Sequence, residues 1–389
     1  MSKTSYDAIV IGAGVLGASV AAHLAGGGYS VLILEQGEPA CGASGGNLGQ
    51  ISVSDRWEPW HLKLTLQSLA YYEKDLGSQF DIGYERSGGS VVLSTPEQVE
   101  AARAIAQKLH AQDVPCTLYT GGDMALAEPN LALSSLQAVL HCPLEGKLNP
   151  MATTLALLSR AQGAGAVLLR GTPVTGFTLE GGHIARVHTP GGDYEARWVI
   201  NCAGPRAAQV GALAGVDVPV CWHKGTAFVS QPVQRVIRGP ICGGGFLLGG
   251  EGGEQPRRQI GFATVQTLDG TILIAQSTET CAVGDRSVNM PSLALVAQRF
   301  LSYFPQLEDL QIVRAWAAAT TYTPDGYPVF GLSSRVDNLF TAAGFKGAFT
   351  VAPAVGERVL RALEGDMDPG LAGFGPDRCA AGEEKGLIS

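Results

Sequence analysis

The sequence predicts an α/β fold with a second, discontinuous domain built on a mixed or antiparallel sheet. Three observations predict it. A buried apolar run at residues 8–11 leads into glycines spaced G-x-G-x-x-G and then into residues 15–25, which are small and apolar at helical period. Residues 167–204 read as strands broken by Gly-Gly turns at 181–182 and 191–192. The 389 residues, 46% hydrophobic and 16% charged, exceed one core and suit two domains.

Composition narrows the function classes. The formal net charge is −8 and no Lys/Arg cluster stands out, which argues against nucleic acid or an anionic membrane surface as partner. Eight cysteines occur, none in CxxC and none with a histidine at zinc spacing. They read as buried free thiols of a reducing cytosol, with no metal site and no iron–sulfur cluster ligated by this chain alone. No run of about 18 uncharged apolar residues predicts a membrane span. The N-terminus runs straight into a strand, so no signal peptide is read and a cytoplasmic protein is expected.

The first forty residues carry the sharpest chemistry. Gly12 permits a tight strand-to-helix turn, Gly14 lets a pyrophosphate approach the backbone, and Gly17 lets the helix pack on the sheet. Val15 and Leu16 open the helix, whose free N–H groups and dipole favour an anion. A second buried strand at residues 30–34 ends in Glu35, placed to accept from a ribose hydroxyl, with Gln36 beside it. This is a Rossmann-like dinucleotide site. The carboxylate disfavours a 2′-phosphate and so excludes NADP; these residues alone do not choose between NAD and FAD. The next segment, "CGASGGNLGQ" at 41–50, is a bare glycine loop, and an amphipathic segment follows at 58–77.

Six stretches in order complete a resemblance: "DAIVIGAGVLGASVAAHLAGGGYSVLILEQG", "GASGGNLGQ", "GKLNPMATTLALLSRA", "RWVINCAGPRAAQV", "TPDGYPVFG" and "AAGFKGAFTVAPAVGERVL". Over residues 6–365 the chain resembles the glycine/D-amino-acid oxidase family of FAD enzymes. "ASGGNLG" is most like the β-type subunits of opine, hydroxyproline and amino-acid dehydrogenases. The resemblance implies that FAD lies along the loop, beside Ala43, Ser44, Gly46, Asn47 and Leu48. It implies adenine contact at the backbone of Val174, and further cofactor contacts at Ala203 and Gly204. It sets the turn of Gly344, Lys346, Gly347 and Ala348 at the flavin pyrimidine edge, where Lys346 would favour the anionic reduced flavin.

Departures from the family matter as much. Where some relatives carry a flavin-linking cysteine, this chain has Ala318 and no cysteine in that stretch, so the FAD is expected to be non-covalent. Where several relatives anchor a substrate carboxylate with arginine, it has Thr320. The partner Tyr-x-x-x-Arg is replaced by Ala263, Thr264 and Gln266. Substitute anchors would be His223, Lys224, Arg258 or Tyr322. The catalytic candidates are therefore Lys346, Thr320, Tyr322 and His223.

The expected FAD domain takes residues 1–85, 145–215 and 320–370. The substrate domain takes 86–144 and 216–319, and 371–389 is a flexible tail, with disorder expected to begin near Asp368. Residues 95–113 read as an amphipathic surface helix. Residues 243–259 are too glycine-rich for regular structure. The implied reaction is oxidation of a C–N bond in a small-molecule amine, an amino acid, imino acid or opine-like secondary amine. Hydride passes to flavin N5, and the imine is then hydrolysed. A β-type dehydrogenase subunit would pass electrons to partner subunits carrying iron–sulfur or flavin centres. The alternatives are an H2O2-producing glycine, D-amino-acid or sarcosine-type oxidase, a non-catalytic FAD-binding electron-relay subunit, and an NAD-dependent hydroxy-acid or sugar dehydrogenase.

Overall fold

A computed structural model describes residues 4–248 and 258–379. Along the described residues the chain runs β1 (Ser5–Ile11), α1 (Val15–Gly26), β2 (Val31–Leu34), β3 (Gln50–Ile51), α2 (Pro59–Tyr71), α3 (Gly77–Gln79), β4 (Gly89–Leu93), α4 (Pro96–His110), β5 (Thr117–Thr120), α5 (Met124–Ala127), β6 (Ala138–Cys142) and β7 (Gly146–Lys147). It continues with α6 (Pro150–Gly163), β8 (Val167–Leu169), β9 (Gly176–Glu180), β10 (His183–Thr189), β11 (Gly192–Asn201), α7 (Ala207–Leu213), β12 (Cys221–Ser230), β13 (Ile241–Gly243), β14 (Arg258–Gln266) and β15 (Ile272–Thr280). Last come α8 (Met290–Tyr303), β16 (Ile312–Tyr322), β17 (Val329–Leu332), β18 (Leu339–Ala343) and α9 (Ala348–Leu363).

Two large sheets organise these elements. The first has the order β17-β18-β11-β1-β2-β8, with the meander β9-β10 attached to β11. β1 pairs in parallel with β2 and β11, and its burial on both faces explains the unbroken apolar run. The second has the order β16-β12-β15-β14-β13-β4-β6-β5 and is antiparallel except where β13 meets β4. The mixed architecture expected from sequence is present. β16 runs across the expected domain limit at 320.

The small sheet of β3 and β7 is fastened to the second large sheet. Lys147 Nζ donates to the Gln266 carbonyl at 2.6 Å, and Gln50 Nε2 to that of Thr264 at 3.2 Å. On the outer face of the second sheet, Phe228, Ile274, Val296 and Phe300 form a core under α8. The surface helix expected at 95–113 is α4; Thr95 caps it by accepting from Gln98 N.

Three expectations need correction. Residues 368–379 are not a loose tail. Asp368 accepts from Arg358 at 2.7 Å, Phe374 stacks on Tyr327, and Arg378 forks onto Asp325. Short polar anchors on a chain that lacks helix period hold this segment, and periodicity cannot report them. Residues 380–389 lie outside the described residues. The stretch 243–259 is partly regular: β13 ends at Gly243, a 3-10 helix spans Gly244–Leu248, and β14 starts at Arg258. Residues 249–257 lie outside the described residues. The seven cysteines Cys41 to Cys281 are free among the described residues, but Cys41 and Cys221 are exposed rather than buried.

Candidate functional site

The β1–α1 turn is built from glycines that nothing larger could replace. Gly12 has φ +103°, and a Cβ there would come within 2.7 Å of the Cys202 carbonyl. A Cβ on Gly17 would stand 2.0 Å from the Gly12 carbonyl. Gly14 is the N-cap of α1 and supplies no side-chain cap. Glu35 closes the turn. Its two carboxylate oxygens accept from Ala13 N and Gly37 N, each at 2.8 Å, and each keeps room for a further donor. Gln36 beside it is exposed. Leu16 and Val15 are buried under the sheet. The cradle fits a dinucleotide: bare backbone at a helix N-terminus, and a nearly buried carboxylate at the end of β2.

The 41–50 loop extends that cradle to the second sheet. Ser44 Oγ accepts from Val15 N at 3.0 Å, so Ser44 and its neighbour Ala43 sit at the α1 N-terminus. Gly46 lies against β16: a Cβ on it would meet that of Ala318 at 2.3 Å, and Trp316 Nε1 donates to its carbonyl at 3.1 Å. Leu48 packs on Ala227, Ala263 and Ala275. Asn47 is exposed and its Oδ1 accepts from Gly49 N at 2.6 Å, so this side chain shapes the loop.

The face of the second sheet that the loop meets is made of small residues. Antiparallel pairing sets Ala227 opposite Trp316, Gly225 opposite Ala318, and His223 opposite Thr320, on one face. The ring of His223 meets that of Tyr322 edge-on at 4.9 Å. His223 Nδ1 and Thr320 Oγ1 are buried with no partner among the described residues. Burial lowers the His223 pKa, which favours the neutral imidazole. Three of the four catalytic candidates therefore meet at one end of this face.

The fourth, Lys346, belongs to the turn before α9. Its Nζ lies 3.9 Å from Asp55 Oδ2 and 5.6 Å from the centre of the Phe246 ring. Crowding by protein lowers its pKa, while 57% of the side chain stays open, as on the wall of a concavity. Gly347 has φ +61° and is the α9 N-cap; Gly344, at φ +73°, turns the chain against Thr323. Ala348 begins the helix.

Other sequence candidates land elsewhere. Lys224 points to the opposite side of β12 and is tied to Asp285 and Ser287 at 2.7 and 2.9 Å. Gln266 is consumed by backbone groups of residues 233–237 and 270. Arg258 is exposed at the start of β14. Val174 is half-buried and, like Ala203, packs against the core cluster beside the first sheet, and Gly204 begins a short 3-10 turn at φ +56°.

Sequence reasoning missed four neighbours of the Lys346 turn. Arg56 is 3% exposed and pairs with Asp55. Buried His61, stacked on Trp60 at 4.6 Å, has its pKa pushed down to about 2 by burial and by Arg56. Glu145 accepts from Val53 N, Ser54 N and Ser54 Oγ at 2.7 Å each and so fixes the segment leading to Asp55. Cys242 also faces the loop, donating to Gln50 Oε1 at 3.4 Å from 192 residues away in sequence. The adjacent "DR" before a Pro-started helix was the available signal, but nothing local links it to residue 346.

Comparison with known proteins agrees with this geometry. The family model described as FAD dependent oxidoreductase (DAO) matches residues 7–362. Glycine oxidase of Geobacillus kaustophilus is 26% identical, over 92% of this chain and 93% of its own. A subunit of opine oxidase from Rhizobium meliloti is 25% identical, over 90% of this chain and 93% of its own. The crystal structure of L-proline dehydrogenase from P. horikoshii superposes with TM-score 0.88 at 26% identity, over 98% of this chain and 99% of that one. With the glycine cradle, the loop and the two sheets all in place, the chain belongs to the DAO family of FAD dependent oxidoreductases.

Proposed function

We propose that this protein is the amine-oxidising, β-type subunit of a dehydrogenase, acting on the C–N bond of an amino acid, imino acid or opine-like secondary amine. The carrying observation is the 41–50 loop, which joins the α1 N-terminus to the small-residue face of the second sheet. Names of relatives support the substrate class: one is a glycine oxidase, one an opine oxidase subunit, one an L-proline dehydrogenase. That the opine oxidase relative is named as a subunit supports a hetero-oligomer.

In this reading the first sheet and the second sheet form the cofactor and substrate domains. Gly12–Gly17, Glu35, Ser44 and the Gly344–Ala348 turn would hold FAD, which when bound would supply two-electron redox chemistry for a C–N bond. The chain's own residues orient and select. The alanine and glycine face leaves room for a substituted amine above the loop. Neutral His223 and Thr320 offer hydrogen bonds at one end, with Tyr322 as a wall. Lys346 offers the positive charge for a carboxylate or for the reduced cofactor. The FAD is non-covalent: Ala318 replaces the linking cysteine, and burial raises the Cys242 thiol to about 12, which suppresses the thiolate.

Anaerobic bleaching of the purified holoprotein against D- and L-amino acids, prolines, sarcosine and opines tests the reading. Bleaching by one class, with dye reduction outpacing H2O2 release, is expected. Stoichiometric H2O2 would make it an oxidase, and no bleaching by any amine would leave an electron-relay subunit. Acid or heat should release all the yellow colour.

A further inference from the structure

The α9 N-terminus carries more positive charge than its fold requires. Gly347 gives no side-chain cap and the first turn has no acid. Two cations nevertheless stand at this end, where the helix dipole opposes them. One is Lys346. The other is Arg56, whose Nη2 lies so close to Gly347 that a Cβ there would be 2.0 Å away. Arg56 is 3% exposed and its Nε has no partner among the described residues. Among the described residues Asp55 is the carboxylate that pairs with both cations, and its own Oδ1 has no hydrogen-bond partner there. Two paired cations and the start of a 16-residue helix share one ion-paired carboxylate among the described residues, a pairing that leaves positive charge over. Buried on one side, that charge is poorly screened. An anion brought to this end would balance it.

We propose that Arg56, with Asp55 as its counter-charge, is a positioning residue that sets the preference of this protein for reduced over oxidised FAD. The inference rests on the reading above that FAD occupies this end of the site. Reduction takes two electrons and one proton and leaves a monoanion, the form that an extra buried cation favours. Arg56 acts across the Gly347 turn and through the field at α9, without touching substrate.

Dye-equilibrated anaerobic titration of the holoprotein with dithionite tests this, together with the dissociation constant for sulfite, which adds to flavin as an anion. Arg56→Met should lower the reduced-to-oxidised affinity ratio about tenfold, about 30 mV for a two-electron couple, and weaken sulfite binding. Asp55→Asn should shift both readouts the opposite way, and Arg56→Lys should stay near the parent. Opposite signs from two neighbours cannot come from mere loosening. Shifts in one direction for both variants, or none while FAD stays bound, would overturn the inference and leave the functional reading intact. If Arg56→Met loses FAD, the Asp55→Asn and Arg56→Lys pair decides the sign. A parent protein that binds no FAD would instead refute the functional reading itself.

Discussion

The N-termini of α1 and α9 use the same backbone device with opposite surroundings. Both helices start at a glycine with no side-chain cap, and they pack together, with Ser19 Oγ donating to the Ala352 carbonyl at 2.7 Å. At α1 the nearest charge is a carboxylate, Glu35, held by two backbone amides. At α9 the nearest charges are two cations and one carboxylate. The first end is set by a local glycine pattern that controls how close backbone can come. The second is set by tertiary charge, gathered from segments about 290 residues apart in sequence. The first end therefore depends on shape and the second on charge, and substitutions at the two should fail in different ways.

The largest effect is expected at the shape-dependent end. Gly17→Val would drive a side chain into the Gly12 carbonyl, 2.0 Å from its Cβ. Backbone cannot yield there as a flexible side chain could, so the β1–α1 turn opens. Loss of FAD on gel filtration and a large fall in melting temperature are the expected results. Retention of FAD at parent stoichiometry would show that the cradle tolerates what its geometry forbids.

Next comes the charge-dependent end. Arg56→Met leaves Asp55 buried with only Lys346 near, and breaking such a pair costs about 3 kcal/mol. The double variant Asp55→Asn with Arg56→Met removes both charges and should recover most of that in urea unfolding. Burial alone would raise the Asp55 pKa, but Arg56 and Lys346 outweigh it and hold it below the ordinary 3.8. A carboxyl with a lower folded than unfolded pKa stabilises above the unfolded value and loses that contribution as pH falls through the folded one. Below about pH 4 the parent should therefore lose stability more steeply than the double variant.

The same contrast explains what could be read from sequence. The α1 end was legible because glycine spacing, an apolar strand and Glu35 all lie within one short stretch, residues 12–35. Thr320 and His223 were singled out, but their meeting depends on the β12–β16 register, which no local pattern fixes. Lys224 looked equivalent to His223, yet strand alternation turns it to the other face and onto Asp285. Asn47 reads as a cofactor contact, and its side chain also closes its own turn, which glycine spacing does not report. Arg56 stayed hidden because its neighbours Gly347 and Lys346 are brought near by the packing of α2 against α9, seen where Ala354 N donates to Ser68 Oγ at 3.2 Å.

Glu35→Gln is a milder way to perturb the α1 end. It keeps one acceptor and removes the charge that strengthens both 2.8 Å bonds. Charge-assisted bonds contribute about 2 kcal/mol each at most, and the amide retains part of that. FAD affinity should fall about tenfold by fluorescence titration, while Arg56→Met should alter the preference between redox states more than the affinity for oxidised FAD. If the two substitutions act alike on both readouts, the contrast between shape and charge fails.

The smallest effect should come from the loop that links the two regions. Gly46→Ala places a methyl 2.3 Å from that of Ala318, so either the loop lifts or β16 yields. The loop is the softer partner: residues 43–48 make no strand pairing and hold to the sheet through Trp316 Nε1 and Leu48. The expected cost is about 1 kcal/mol in stability, but lifting also moves Ser44 away from Val15 N and raises the small-residue face above the cofactor cradle. Substrate bleaching should therefore slow more than stability suggests. Ala318→Gly removes the opposing methyl, so adding it should restore the rate of Gly46→Ala, an interaction energy readable from the four-member cycle. Additive effects would mean that the loop and β16 do not share the contact, and that the small residues of this face shape something other than the space over the loop.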